Sequence, residues 1–209
     1  MHRTEVMSFP RSGWRLNSRL VRGYFEQPEF KGNTIYTNPS DNMDTNAAIT
    51  FQKNHDFGLN TPVKKDRHYL VLIRYPIESL VSWYKLEENI RGLLQADWER
   101  FALDKIEFWK GFYSKWVLQN NQDNKHVLNY GVLMQNPFEE LCKVIKFLSE
   151  DGREIDTKKI QSVVDTNNIK RLNDFHKFKY YNKKFFDKLR SRVQDVKGID
   201  VKNDILVIN

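Results

Sequence analysis

Six residues confine this chain more tightly than any others. Tyr69-Leu70-Val71-Leu72-Ile73-Arg74 is an apolar run closed by a cation, and Tyr75-Pro76 follows at once. A short run that is apolar on both of its alternating faces belongs in a sheet covered on both sides, which means a mostly parallel sheet flanked by helices. Proline at the first turn of a helix gives up no hydrogen bond, so Pro76 can open a helix over residues 77–89. Strand, turn and helix are thus expected in immediate succession.

The rest of the chain repeats the theme. Residues 4–9 read as a first strand, 10–13 as a turn and 16–25 as a helix with Leu16, Leu20, Val21 and Tyr24 on one side. A second strand is expected over 47–53 and a short one over 126–129. Asp97 is placed as the N-cap of a long helix whose Trp98, Phe101, Ala102, Ile106, Trp109, Phe112, Tyr113, Trp116 and Val117 recur at helical spacing. Such an aromatic stripe is read as a core face. Helices are expected over 138–148, 157–164 and 183–196, and loops over 31–46 and 54–67. With no internal repeat and no long linker, the 209 residues are read as one domain. Its expected class is a three-layer α/β/α fold with a central, mostly parallel sheet of the P-loop nucleotide-binding type.

Composition excludes several function classes. No apolar run is long enough to span a bilayer, and residues 1–6 lack the apolar stretch of a secretory signal. One cysteine, Cys142, cannot make an intrachain disulfide, and a reducing cytoplasmic setting is the simplest expectation. The net charge of +7 sits almost wholly in residues 176–192, where seven cations face only Asp187. That segment is read first as a solvated helix face. Its aromatics, among them Phe175, Phe178, Tyr180, Tyr181, Phe185 and Phe186, leave a nucleic-acid-binding reading open as a rival.

The first strand runs into Ser8-Phe9-Pro10-Arg11-Ser12-Gly13 and then a helix. Backbone N–H groups and the positive end of the helix dipole meet at such a turn and favour an anion. Gly13 permits close backbone approach, Arg11 offers a fork of donors and Ser12 a hydroxyl. The Gly-Lys-Ser/Thr end of a Walker A loop is missing. Arginine alone can serve an anion without a dedicated metal, so none is expected. Read in isolation, the turn is equally a strand-to-helix connection with a surface arginine.

Three further segments, in order along residues 4–172, complete a resemblance to the PAPS-dependent sulfotransferases, which use 3′-phosphoadenosine-5′-phosphosulfate. Residues 8–13 look like that family's 5′-phosphosulfate loop. Gln52-Lys53-Asn54-His55-Asp56-Phe57 is similar to its Lys-Thr-His segment. Ile73-Arg74-Tyr75-Pro76, with Ser82 eight residues after the arginine, looks like its 3′-phosphate motif, and Val127-Leu128-Asn129-Tyr130 resembles the strand whose tyrosine lies near the adenine. Where the family has small hydroxyl residues after the loop glycine, this chain has Trp14 and Arg15; the family's Tyr-Glu-Asp reads Tyr130-Gly131-Val132.

The resemblance implies a P-loop-type fold and sulfuryl transfer from PAPS to a hydroxyl or amine of a small-molecule or glycan acceptor, leaving adenosine 3′,5′-bisphosphate. His55 would be the general base, Lys53 would stabilise the bridging oxygen and Arg11 the non-bridging ones. Pro10, Arg11, Ser12, Gly13, Trp14, Arg15, Arg74, Ser82 and Tyr130 would bind the nucleotide. Arg11, Lys53, His55 and Arg74 all fall at carboxyl ends of expected strands, where open α/β sheets bind ligands. A metal-dependent P-loop kinase, and a relative that binds nucleotide or nucleic acid without catalysis, remain the rivals.

Overall fold

A computed structural model describes residues 4–25, 51–92, 95–119, 124–149, 154–167, 169, 175–202 and 204–208. The expected loop over 31–46 and the start of the expected second strand lie outside the described residues.

Four strands, β1 (Thr4–Ser8), β2 (Phe51–Asn54), β3 (His68–Ile73) and β4 (Lys125–Asn129), form one sheet in the order β2-β1-β3-β4. Every pairing is parallel, with Val6 opposite both Lys53 and Leu70. The side-chain alternation of β3 divides the core. Tyr69, Val71 and Ile73 belong to one apolar cluster, and Leu70 and Leu72 to another.

The first cluster lies against α2 (Pro76–Arg91), α3 (Gln95–Tyr113) and α7 (Lys183–Gln194). The second lies against α1 (Trp14–Phe25), α4 (Tyr130–Gln135), α5 (Pro137–Leu148) and α6 (Thr157–Thr166). This is the expected three-layer α/β/α arrangement. Strand order 2-1-3 puts β1 between β2 and β3, so the turns after all three open at one edge.

Pro76 opens α2 as expected, and Gly92 closes it in the left-handed conformation (φ 65°) with its N–H on the Glu88 carbonyl. Asp97 is not an N-cap. The helix begins at Gln95, and Asp97 sits in its first turn, where its carboxylate takes a hydrogen bond from Arg100 Nη2 at 3.0 Å. An acidic residue complements the helix dipole anywhere in that turn, and the helix starts three residues earlier than a cap at Asp97 implied. The aromatic stripe of α3 is core: Trp98, Trp109, Phe112, Tyr113 and Trp116 are all buried.

Helix α4 (Tyr130–Gln135) and a C-terminal pair of strands were not expected. Asn129 caps α4 by accepting from the Gly131 N–H. Beyond α7, β5 (Ile199–Lys202) and β6 (Ile205–Ile208) make an antiparallel hairpin, and Asn129 Nδ2 donates to its Leu206 carbonyl at 2.6 Å. No described helix is long and apolar enough to cross a membrane.

Candidate active site

The turn after β1 is strained in a defined way. The Ser12 N–H returns to the Phe9 carbonyl at 3.1 Å, and Arg11 is held at φ 67°, a left-handed backbone that a side chain adopts at some cost. Gly13 follows at φ 88°. The first bond of α1 is Asn17 N–H to the Gly13 carbonyl, which places the electropositive end of the helix at this turn.

Tyr130, at the start of α4, explains why residue 13 must lack a side chain. A Cβ there would lie 2.3 Å from Tyr130 Cδ2. The other side of the story is Arg74, whose guanidinium carbon stands 4.4 Å from the Tyr130 ring centroid. Tyr130 therefore bridges the first turn and the end of β3. Arg74 also donates through Nη1 to the Arg11 carbonyl at 3.3 Å and through Nε to the buried Glu78 carboxylate at 3.0 Å. The two guanidinium-bearing turns are joined directly: Arg11 Nε donates to Ser82 Oγ on α2 at 3.0 Å.

One cavity of about 710 Å³ opens over these turns. Pro10, Arg11, Gly13, Trp14, Arg15, Lys53, His55, Arg74, Ser82 and Tyr130 line it. Of the residues singled out in the sequence, Ser12 alone is not on its wall; it is buried beneath, with its hydroxyl unpaired among the described residues.

The electrostatics of the cavity suit an anion. Among the described residues no carboxylate pairs with Arg11, Arg15 or Lys53. Burial, and then the repulsion of Arg15 and Arg74, lower the Arg11 pKa from its ordinary value. Burial, Arg15 and Arg11 do the same to Lys53. Cations pressed together without counter-charge are relieved by a bound polyanion.

His55 follows β2 and its Nδ1 lies 2.5 Å from the Ser8 carbonyl. A carbonyl can only accept, so Nδ1 carries the proton and Nε2 keeps its lone pair. Burial, reinforced by Lys53 and opposed by the Ser8 bond, drops its pKa to about 4. The imidazole is therefore neutral at physiological pH. The lining beside His55 is apolar: Phe57, 61% exposed, with Trp83 and Leu86.

Residues that the sequence did not flag hold this wall in place. Asp56, buried next to His55, is bound by Lys115 and Trp116 from the far end of α3. Its only sequence signal is adjacency to His55. Glu78, the buried partner of Arg74, carries the faint signal of lying four residues after it.

The fold matches a known architecture. Mouse sulfotransferase SULT7A1, solved in complex with PAP, superposes with a TM-score of 0.67 over 93% of this chain and 84% of its own, at 13% identity. The fold is that of a sulfotransferase. A sulfotransferase from Alicyclobacillus acidocaldarius aligns over 93% of this chain and 94% of its own at 11% identity, with a TM-score of 0.46. No protein-family model and no curated protein matches the chain. Within this sulfotransferase fold, the basic C-terminal segment is a packed helix face. Phe175, Phe178, Phe185 and Phe186 are buried, while Lys179, Lys183, Arg190 and Arg192 pair with Glu88, Asp187, Asp187 and Glu107. Four of the six aromatics invoked for base stacking are thus inside the core.

Proposed function

We propose that this chain transfers a sulfuryl group from PAPS to a hydroxyl or amine of a small-molecule or glycan acceptor. The observation that carries this reading is the convergence of three cations that pair with no carboxylate among the described residues, Arg11, Arg15 and Lys53, with a neutral imidazole in one cavity at the carboxyl ends of parallel strands. Its volume falls in the range that small-molecule sites occupy. The Gly13 turn, with no side chain and a helix N-terminus behind it, suits close approach by phosphosulfate oxygens. The fold shared with a PAP-bound sulfotransferase supports the same donor.

Each residue then has a role. Pro10 through Arg15 cradle the 5′-phosphosulfate, with Arg11 on the non-bridging oxygens. Arg74 and Ser82 hold the 3′-phosphate, and Tyr130 borders the adenine. The acceptor oxygen bonds to sulfur while the sulfur–oxygen bond to the phosphate breaks. His55 Nε2 takes the acceptor proton, and Lys53 neutralises the departing phosphate oxygen. A pKa near 4 makes an indifferent base. A polyanion bound beside Lys53 offsets the repulsion that keeps the imidazolium from forming, so basicity rises when the donor is in place.

The test is calorimetry with adenosine 3′,5′-bisphosphate, with and without EDTA, on the parent and on His55→Ala. Binding unaffected by chelator, and changed less than threefold in the variant while turnover disappears, is expected. No binding, or binding that needs a divalent metal, removes the reading in favour of a metal-dependent kinase; full turnover in the variant removes His55 as base.

A further inference from the structure

Both oxygens of the Asp56 carboxylate are hydrogen-bonded, yet the residue sits in an irregular loop rather than in a helix or strand. Its side chain is fully buried. Oδ2 accepts from Lys115 Nζ at 2.6 Å and from Trp116 Nε1 at 2.9 Å, and Oδ1 accepts from the Thr61 N–H at 2.9 Å.

Lys115 is equally saturated. Beyond Asp56 it donates to the Leu59 carbonyl at 3.0 Å and to the Thr61 carbonyl at 2.7 Å, so all three of its protons are used. These bonds clasp residues 56–61 onto the end of α3.

We propose that Asp56, gripped by Lys115 and Trp116, is a positioning residue that sets the orientation of the His55 imidazole in the cavity. The inference rests on His55 as the acting group of the proposed transferase. Four observations support it.

First, Asp56 is the chain neighbour of His55 and adopts φ 46°, a left-handed turn that a non-glycine residue holds only when its surroundings enforce it. That turn dictates where the preceding residue points.

Second, His55 is anchored on its other side as well. Asn54, the last residue of β2, accepts from the Asp56 N–H through Oδ1 at 2.7 Å and donates through Nδ2 to Thr61 Oγ1 at 3.0 Å. Among the described residues, the Ser8 carbonyl is the ring's one hydrogen-bond partner.

Third, the grip comes from a specialised element. Residues Ser114–Leu118 continue α3 as a π-helical turn. In an α-helix, adjacent side chains diverge by about 100°. Here Lys115 and Trp116, adjacent in sequence, meet at a single carboxylate oxygen. Such turns concentrate at functional sites.

Fourth, the clasp extends to the apolar wall. Leu59 packs so closely on α3 that a Cβ at Gly111 would lie 2.4 Å from its Cδ1. Phe57, between the anchored positions, has its ring 5.1 Å from that of His55. The loop thus carries both the imidazole and part of the cavity wall as one piece.

The test follows the His55 imidazole by NMR across pH in the intact protein, comparing the parent with Asp56→Asn and with the milder Trp116→Phe. The titratable group facing His55 is Lys53, the Ser8 carbonyl is its acceptor, and Asp56 is its ionised chain neighbour. Trp116→Phe changes no charge, and the carboxylate lost in Asp56→Asn would by itself lower the imidazole pKa, opposite to the rise expected from release of the loop. In the parent the ring titrates near 4. Release of the loop is expected to lift Asp56→Asn by at least one unit toward 6.5, with a smaller rise in Trp116→Phe, and to change affinity for adenosine 3′,5′-bisphosphate less than threefold.

A merely structural staple would lower the melting temperature and leave the titration where it was. An unchanged titration in either folded variant overturns the proposal. The titration requires no bound nucleotide. A parent protein that ignores adenosine 3′,5′-bisphosphate therefore defeats the donor-site reading without touching this result.

Discussion

Replacing Gly13 with alanine isolates the physical demand at the centre of the cavity. Two costs can be worked from the geometry. The backbone at φ 88° is one that a side chain with a Cβ avoids, worth roughly 1–2 kcal/mol. The new Cβ would also stand 2.3 Å from Tyr130 Cδ2, inside any tolerable contact, so the ring must move. Moving it breaks the Arg74–Tyr130 stack, worth about 1 kcal/mol for a partly exposed cation–π pair. Together these predict about 2–3 kcal/mol of lost stability, a fall in melting temperature of roughly 4–12 °C for a chain of this size. Thermal melts of Gly13→Ala, Tyr130→Ala and the double variant separate the two costs. In the double variant the overlap is gone and only the backbone cost of Gly13→Ala remains, so the two changes are expected to combine less than additively. Adenosine 3′,5′-bisphosphate should bind Gly13→Ala at least tenfold more weakly, because the loop amides shift with the backbone. A variant that melts within 1 °C of the parent and binds the nucleotide unchanged would refute the reasoning.

Arg74→Ala is expected to weaken adenosine 3′,5′-bisphosphate far more than adenosine 5′-monophosphate in parallel calorimetry; equal losses would mean that Arg74 serves only Glu78, Tyr130 and the Arg11 carbonyl. The His55 pKa also predicts a pH profile of stability. The folded value, about 4, lies below the ordinary 6.5, so the unfolded chain binds the extra proton first as pH falls. Stability attributable to His55 is complete above pH 6.5 and declines progressively to pH 4, by on the order of 3 kcal/mol. Denaturant unfolding of the parent and His55→Asn across pH 4–7 should show this slope in the parent and a shallower one in the variant; identical slopes would exclude a neutral, buried imidazole.

Much of the fold was legible because its signals are local. The apolar run of β3 closed by Arg74, the proline at the start of α2 and the glycine after Arg11 each report a backbone requirement that the neighbouring few residues satisfy. The placement of Arg11, Lys53, His55 and Arg74 at strand ends followed from the same local pattern. Element edges moved by up to three residues, as at Asp97, because a first-turn acidic residue stabilises a helix at any of several positions. The C-terminal hairpin escaped notice because its strands are four residues each and packed on α4 by contacts far apart in sequence.

The residue types, their order and the alternation that splits β3 between two cores were determined by the chain alone. Tertiary structure decided which of those residues share one space. Strand order 2-1-3 is set by non-local pairing, and it is what brings Lys53 and Arg74 to either side of Arg11. Two partners of Asp56, Lys115 and Trp116, lie 59 and 60 positions away, and Tyr130 meets Gly13 across the sheet edge. No short-range pattern encodes such contacts, because they exist only once the hydrophobic layers have closed and desolvated the groups between them.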